Sequence, residues 1–312
     1  MLSGGWRLVY IDNNYFESKR IQLEDRTMLC AGISQIFATL PQENWDSSMS
    51  SLTLPTIECM ESLSQVLAQD RNDQYILRLE DEICVLASTL RSFHRAISKA
   101  SGEGKITAIL LSLLHRAWPC VKYIAKALRH QHSIVSSLSD FLKVVVSLDH
   151  NVNDILILKE ACDVANTIMN ETAIEGCGTD VISPILDFIE DTVDNFGHLV
   201  ELHLMSRSMQ DNTLRNEICK IIQDLIESSY EVFLMKQDHF RSTDDAVPGI
   251  FCVLRVSMKR CPHLFFGLRT KTGDEIFTSS LNAADHFMNC DQADVIREAI
   301  LFSCDAVCIV LV

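Results

Sequence analysis

Only 11 glycines and 6 prolines punctuate the 312 residues of this chain. That is too little turn chemistry for a protein built from many short strands, and it leaves room for long helices. Basic residues are also in deficit, with 27 Lys and Arg against 42 Asp and Glu and a net charge of −15. Sequence-independent nucleic-acid binding relies on Lys and Arg neutralising phosphates, so a direct nucleic-acid role is not expected. The acidic balance suits a basic protein partner, and it equally suits solubility alone. The N-terminus, MLSGGWRLVYIDNN, lacks the basic start and long apolar run of a secretory signal. The longest apolar stretch, Ile106 to Leu114, is cut off by His115 and Arg116, far short of the ~20 residues that span a bilayer. A soluble chain without membrane insertion is expected.

Sites for chemistry are missing as well. There is no phosphate-binding Gly-rich loop, no HExxH and no GxSxG. Twelve cysteines include no CxxC pair, and Cys304 with Cys308 has no second pair beside it to complete a zinc site. Cys30, Cys59, Cys84, Cys162, Cys219, Cys252 and Cys304 fall in apolar helical stretches and read as small buried hydrophobes in a reducing compartment. His130 and His132 stand where one helix gives way to the next, without a carboxylate or Cys cluster. Gly176-Cys177-Gly178 is a helix break, and no histidine lies near Cys177 in sequence to activate it. No catalytic residue, cofactor or metal is expected, and the chain does not read as an enzyme.

What is present is a helical rhythm. From Tyr75 the apolar positions Ile76, Leu79, Ile83, Leu86, Leu90, Phe93 and Ile97 step by three and four, which places seven side chains on one helical stripe. Residues 1–24 fit no clear period and read as a loop, a helix remnant or an imperfect gene start. A first helix is predicted over Arg26–Leu40, with Leu29, Ile33, Ile36, Phe37 and Leu40 on one face. A polar Ser-rich connection is predicted over Ser47–Leu54. A second helix is predicted over Leu54–Gln69, with Pro55 in its first turn, where a missing N–H costs nothing. Pro119 is expected to kink or split the helix that contains Ile106–Leu128. Further helices are expected near Ser133–Leu148, Asp154–Asn170, Asp180–Phe196, Thr213–Leu234, Val247–Met258, Asp274–Met288 and from Asp294 onward. Helices recur about every 20–25 residues, so antiparallel pairs recur about every 40, the period of HEAT-type repeats. The fold class is therefore expected to be all-α, a HEAT/armadillo-type solenoid. Its domains are an irregular segment 1–25 and a repeat array over 26–312. The apolar ending Cys308-Ile-Val-Leu-Val312, without a polar terminal repeat, suggests a partial array.

One surface feature is pointed. Between Asn151 and Val200 stand ten acidic residues and one basic, Lys159. Asp187, Glu190, Asp191 and Asp194 are spaced i, i+3, i+4, i+7, an acidic stripe opposite Ile182, Ile185, Ile189, Val193 and Phe196. Like charges this close repel, a cost that a basic partner relieves. The alternative is an ordinary solvated face.

The segment Asp244 to Phe266 resembles a stretch of the importin-13 and transportin-3 branch of the importin-β superfamily. There an acidic opening leads into an apolar helix, a basic pair and an apolar exit. Here those elements are Asp245, Val247, Phe251, Lys259-Arg260, Pro262, Leu264 and Phe265. Asp274–Leu311 is similar to the next repeat of that branch, and Arg26–Trp45, Glu58–His94 and Ala117-Trp118-Pro119 are similar to its central repeats. The likeness covers the middle and later parts of such a receptor and not its N-terminal portion. It implies a nucleocytoplasmic transport receptor of the nucleus and cytoplasm. Such a receptor binds protein cargo on the inner face of a solenoid and exchanges it under Ran-GTP control. Contacts with the Ran GTPase and with nuclear pore proteins are implied to lie in repeats outside this chain. The helix Ser133–Leu148 carries only Lys143, which sets it apart from the arginine-rich helix that transportin-3-like receptors use for phosphorylated Arg-Ser cargo. A HEAT-repeat scaffold of another assembly is the alternative, and a helical enzyme with a site assembled from distant residues is a third.

Overall fold

Twelve α-helices and one 3-10 turn make up almost all of the computed structural model, which describes residues 22–67, 69, 72–101, 108–148, 155–174, 181–205, 213–236 and 246–310. In chain order they are α1 (Leu23–Phe37), the 3-10 turn (Gln42–Asn44), α2 (Trp45–Leu67), α3 (Asp73–Ser101), α4 (Ala108–Ala127), α5 (His132–Ser147) and α6 (Ile155–Ile174). They continue with α7 (Ser183–Met205), α8 (Thr213–Lys236), α9 (Ala246–Arg260), the short α10 (Pro262–Phe265), α11 (Ile276–Phe287) and α12 (Ala293–Val310). No strand occurs among the described residues beyond one isolated bridge between Arg269 and Glu275. The fold is all-α.

The helices group into two compact units, residues 1–128 with 140–157 and residues 129–139 with 158–312. In the first, α1 packs on α3, and α2 packs on both α3 and α4. Ile76, Leu79, Ile83, Leu86, Leu90, Phe93 and Ile97 of α3 are all buried, so the seven-residue stripe forms the core of this unit. Each such side chain contributes about 1.5–3 kcal/mol when fully removed from water. Trp45 stands edge-on to Phe93 at 5.8 Å, and Trp118 edge-on to Phe141 at 6.1 Å.

In the second unit the register of contacts reveals the architecture. Gly249 of α9 lies against Leu186 of α7, and Gly197 further along α7 lies against Arg260 at the end of α9. Positions on the two helices advance together, so α7 and α9 run parallel. Cys252 and Arg255 meet Glu298, and Lys259 meets Asp305, so α9 and α12 are parallel too. The chain returns between these helices: α8 packs on both α7 and α9, and α11 packs on α12. One layer of parallel helices with return helices behind it is the pattern that stacked helix pairs produce. Phe251 sits in the middle, 5.7 Å from Phe302 and 6.2 Å from Phe287.

Several boundaries differ from the sequence expectation. The Ser-rich stretch 47–54 is no connection: one helix runs unbroken over Trp45–Leu67 with Pro55 inside it. Trp45 anchors its start, donating its indole N–H to Leu40 O at 2.9 Å, and Met49 and Thr53 are buried. Ser47 and Ser51 turn their hydroxyls onto Asn44 O and Ser48 O in the preceding turn. Pro119 does not split its helix, for α4 is continuous over Ala108–Ala127. The ring is exposed, as is His115 four residues earlier, whose carbonyl is the one that the missing N–H leaves without its helical donor. α7 runs to Met205, nine residues past the expected end at Phe196, and α1 ends at Phe37.

The buried face of α1 is also rotated from the expected one. Cys30, Ser34 and Phe37 point inward, while Leu29 and Ile36 are 40% and 57% exposed. The cause is Arg26, whose guanidinium grips both oxygens of Glu82 on α3 at 2.8 and 2.5 Å. Glu82 is buried, and an unpaired carboxylate there is costly, so the pair fixes the rotation of α1.

Candidate functional site

The acidic stripe lies on α7. Asp187, Asp191 and Asp194 are exposed and Glu190 is half-buried, while Ile182, Ile185, Ile189, Val193 and Phe196 on the opposite side are buried. Parallel stacking brings the basic end of α9 alongside. Arg260 Nε donates to Asp194 Oδ1 at 2.6 Å. Arg255 reaches the other way, to Glu298 Oε2 at 2.6 Å and Asp305 Oδ2 at 2.9 Å, and Lys259 Nζ joins Asp305 at 2.7 Å. The stripe is thus one bank of a field that runs acidic, basic, acidic across α7, α9 and α12. Burial, then repulsion from Asp187 and Asp191, push the Glu190 carboxyl above its ordinary range, against the pull of Arg255. Asp305 is held below its ordinary range: its hydrogen bonds to Lys259 and Arg255 outweigh its partial burial. Of the other acidic residues between Asn151 and Val200, Asp154, Glu175 and Asp180 lie outside the described residues.

The segment that carries the family resemblance supplies the centre of this layer. Val247 and Phe251 are core residues, Lys259 and Arg260 make the ion pairs above, Pro262 opens α10, and Leu264 and Phe265 are buried. His263 hydrogen-bonds through Nδ1 to Glu201 of α7, whose carboxylate also accepts the His263 backbone N–H at 3.1 Å. Asp244 and Asp245 lie outside the described residues.

A second polar feature was not read from the sequence. An open groove of about 430 Å³ is walled on one side by Asn166 and Asn170 of α6 and on the other by Asp224, Glu227 and Glu231 of α8. Its remaining wall is the Arg269–Lys271 turn. That turn is tightly built: Gly273 takes φ +92°, its N–H bonds Thr270 O, and Thr270 N–H bonds Asp274 O. A side chain at 273 would strain this left-handed backbone. Glu231 accepts the Lys271 backbone N–H at 2.9 Å, which ties the turn to α8. The groove draws on three segments far apart in sequence. The only local signal was the i, i+3, i+7 spacing of its carboxylates, the same type of spacing that marked α7.

The thiols divide by burial. Of the cysteines expected to be small buried hydrophobes, Cys30 and Cys162 are buried but Cys59, Cys84, Cys219 and Cys252 are only half-buried; Cys120 and Cys261 are buried as well. Cys304 and Cys308 are exposed, against the expectation for Cys304: they lie on the side of α12 turned away from Ala299, Phe302 and Ala306, which fill the core. Burial pushes the thiols of Cys120, Cys252 and Cys261 up to about 12, so none is a ready nucleophile. Cys177 lies outside the described residues. His130 and His132 occupy the turn into α5, and among the described residues no group of three or more His, Cys, Asp or Glu is placed to hold a metal ion. No helix among them is long and apolar enough to cross a membrane. No protein-family model, curated protein or solved structure matches the chain.

Proposed function

We propose that this chain is a protein-binding section of a nucleocytoplasmic transport receptor, which holds basic cargo on stacked helix pairs and releases or acquires it in response to Ran-GTP. One observation carries the reading. The segment that resembles the importin-13 and transportin-3 branch forms the middle helix of a parallel layer, with its distinctive residues spent on stacking and on ion pairs to both neighbours. A motif used this way belongs to a repeat architecture, and repeat arrays act through extended surfaces rather than enclosed sites. The acidic α7 stripe and the carboxylate-walled groove favour a basic partner. Ran and nuclear pore proteins are the further partners in this reading, with the nucleus and cytoplasm as its location.

The test is to tag the protein at its own locus and recover it from nuclear extract with and without excess Ran locked in its GTP form. Partners gained or lost only with Ran-GTP are expected. Partners indifferent to Ran-GTP would end the transport reading and leave a helical scaffold of another assembly. Once a basic partner is in hand, Asp187→Lys combined with Asp191→Lys is expected to weaken its binding about tenfold and to leave the helical circular dichroism unchanged. Unchanged affinity in the folded double variant returns the stripe to a solvated face.

A further inference from the structure

The outward face of α12 is a strip without charge on a strongly acidic chain. We propose that it is a contact between two copies of this chain, in which the two α12 helices lie antiparallel across a two-fold axis at Cys304.

Between Ala299 and Ile309 the exposed residues are Ile300, Leu301, Cys304, Val307 and Cys308, and their spacing by three and four sets them on one side of the helix. Phe302 and Ala306 fill the core behind them. Asp305, the one charge in the stretch, is turned to Arg255 and Lys259 of α9. Ile300, Leu301 and Val307 are large hydrophobes left 44%, 37% and 58% exposed. An open depression of about 420 Å³ adjoins them, lined by Ala293, Ile296, Arg297, Ile300 and Leu301.

The order of the strip selects its occupant. Its members stand four and three residues before Cys304 and three and four residues after it, so the pattern reads the same from either end. A two-fold contact needs that property, because residue i must meet residue j while j meets i. Antiparallel helices crossing at Cys304 set Ile300 on the second copy's Cys308 and Leu301 on the second copy's Val307, and each pairing occurs twice. A parallel pair meets position for position and makes no use of this symmetry. The antiparallel pair also brings opposite ends of the two helix dipoles together. Charge points the same way. Each copy carries a net charge of −15, so two copies repel over most of their surface, and this strip lets them approach without burying a carboxylate. A basic cargo gains nothing from a strip that lacks carboxylates, so the partner proposed for α7 is not its occupant.

Area sets the strength. With 18 residues α12 is about 27 Å long, and one face of such a helix covers less than the ~800 Å² per partner of a stable complex. A reversible dimer with Kd on the order of 10–100 μM is expected rather than an obligate one.

Sedimentation equilibrium of the full chain, from about 1 μM to about 1 mM, reads this association directly. Leu301→Lys combined with Val307→Lys places like charges across the axis and is expected to weaken dimerisation at least tenfold with helical circular dichroism unchanged, since both positions are exposed. A short bismaleimide, which adds to thiols without an oxidant, reads the register in two variants that keep the apolar strip. The two Cys304 residues face each other in the proposed pair, whereas the two Cys308 residues stand eight positions apart along the axes, about 12 Å. Cys308→Ser is therefore expected to give a covalent dimer joined through Cys304, and Cys304→Ser is expected to give little. A chain that stays monomeric throughout the range would overturn the proposal and hand the strip to a helix of another protein. Undiminished dimerisation of the folded lysine variant would place the contact elsewhere, and equal cross-linking through Cys308 would make the pair parallel; either result also overturns it. The Ran-GTP experiment is independent of this one, because the strip lies outside the residues assigned to cargo.

Discussion

Glu190 is the member of the α7 stripe that the fold draws out of water, and its charge is the least comfortable of the four. Burial and the neighbouring Asp187 and Asp191 raise its pKa, so its ionised form is disfavoured in the folded state relative to the unfolded chain. An acid whose folded pKa is raised costs stability above that folded value, and the cost fades as pH falls toward the ordinary 4.5. Glu190→Gln is therefore expected to raise stability by about 0.5 kcal/mol at pH 7.5, the worth of one or two relieved like-charge pairs, with the gain vanishing below pH 4.5. Thermal unfolding of both proteins at the two pH values checks it. Two glycines make a sharper pair. A Cβ on Gly197 would stand 2.7 Å from the Arg260 Cβ, whereas one on Gly32 meets nothing within 4 Å. Gly197→Ala is expected to destabilise by about 1–3 kcal/mol through overpacking of α7 on α9. Gly32→Ala is expected to stabilise α1 by about 0.5–1 kcal/mol. Equal effects in urea unfolding would mean that α7 and α9 do not approach as closely as described.

The helices were legible wherever burial followed local period. The Ile76–Ile97 stripe needed only its own spacing, because every position that looked apolar also packs. The rotation of α1 was not legible, since it is set by Glu82, which stands 56 residues from Arg26. The Ser-rich start of α2 was misread because serine favours turns by bonding nearby backbone, and here those same bonds run within the helix. Of the candidate site, the stripe on α7 was legible but the cations that border it were not, because parallel stacking alone brings Arg255 and Arg260 to it. Pro119 marks where a local rule met a tolerant setting, and it yields a test. In the exposed middle of α4 it lacks a backbone donor at a cost of up to about 3 kcal/mol, partly offset by the stiffness it lends the unfolded chain. Pro119→Ala is expected to raise the unfolding midpoint; a lower midpoint would argue that the break is needed. Arg255 tests the layer itself. Arg255→Met removes the link from α9 to both Glu298 and Asp305, and Arg297, 3.0 Å from Glu298, compensates only in part. A loss of about 2 kcal/mol is expected, smaller than for a fully buried pair broken on one side.

At the scale of the whole molecule, each compact unit carries its own core, and the helices within it lean mainly on their nearest neighbours. Phe93 is wholly buried against Trp45 in the first unit, and Phe251 is wholly buried between Phe287 and Phe302 in the second. Truncating either to alanine removes about 3–5 kcal/mol, a large fraction of the stability of an ordinary domain. In an array coupled through adjacent interfaces, such a loss is felt locally before it is felt globally. Amide hydrogen exchange is the measurement that sees this. Phe93→Ala is expected to speed exchange across α1 to α4 and to leave α7 to α12 near their parental rates, with Phe251→Ala doing the reverse. The two losses are expected to add within about 0.5 kcal/mol when combined, as for sites that share no partner. Acceleration spread evenly over all helices by either substitution would mean that the chain opens as one cooperative body, and the nearest-neighbour account of its flexibility would fall with it.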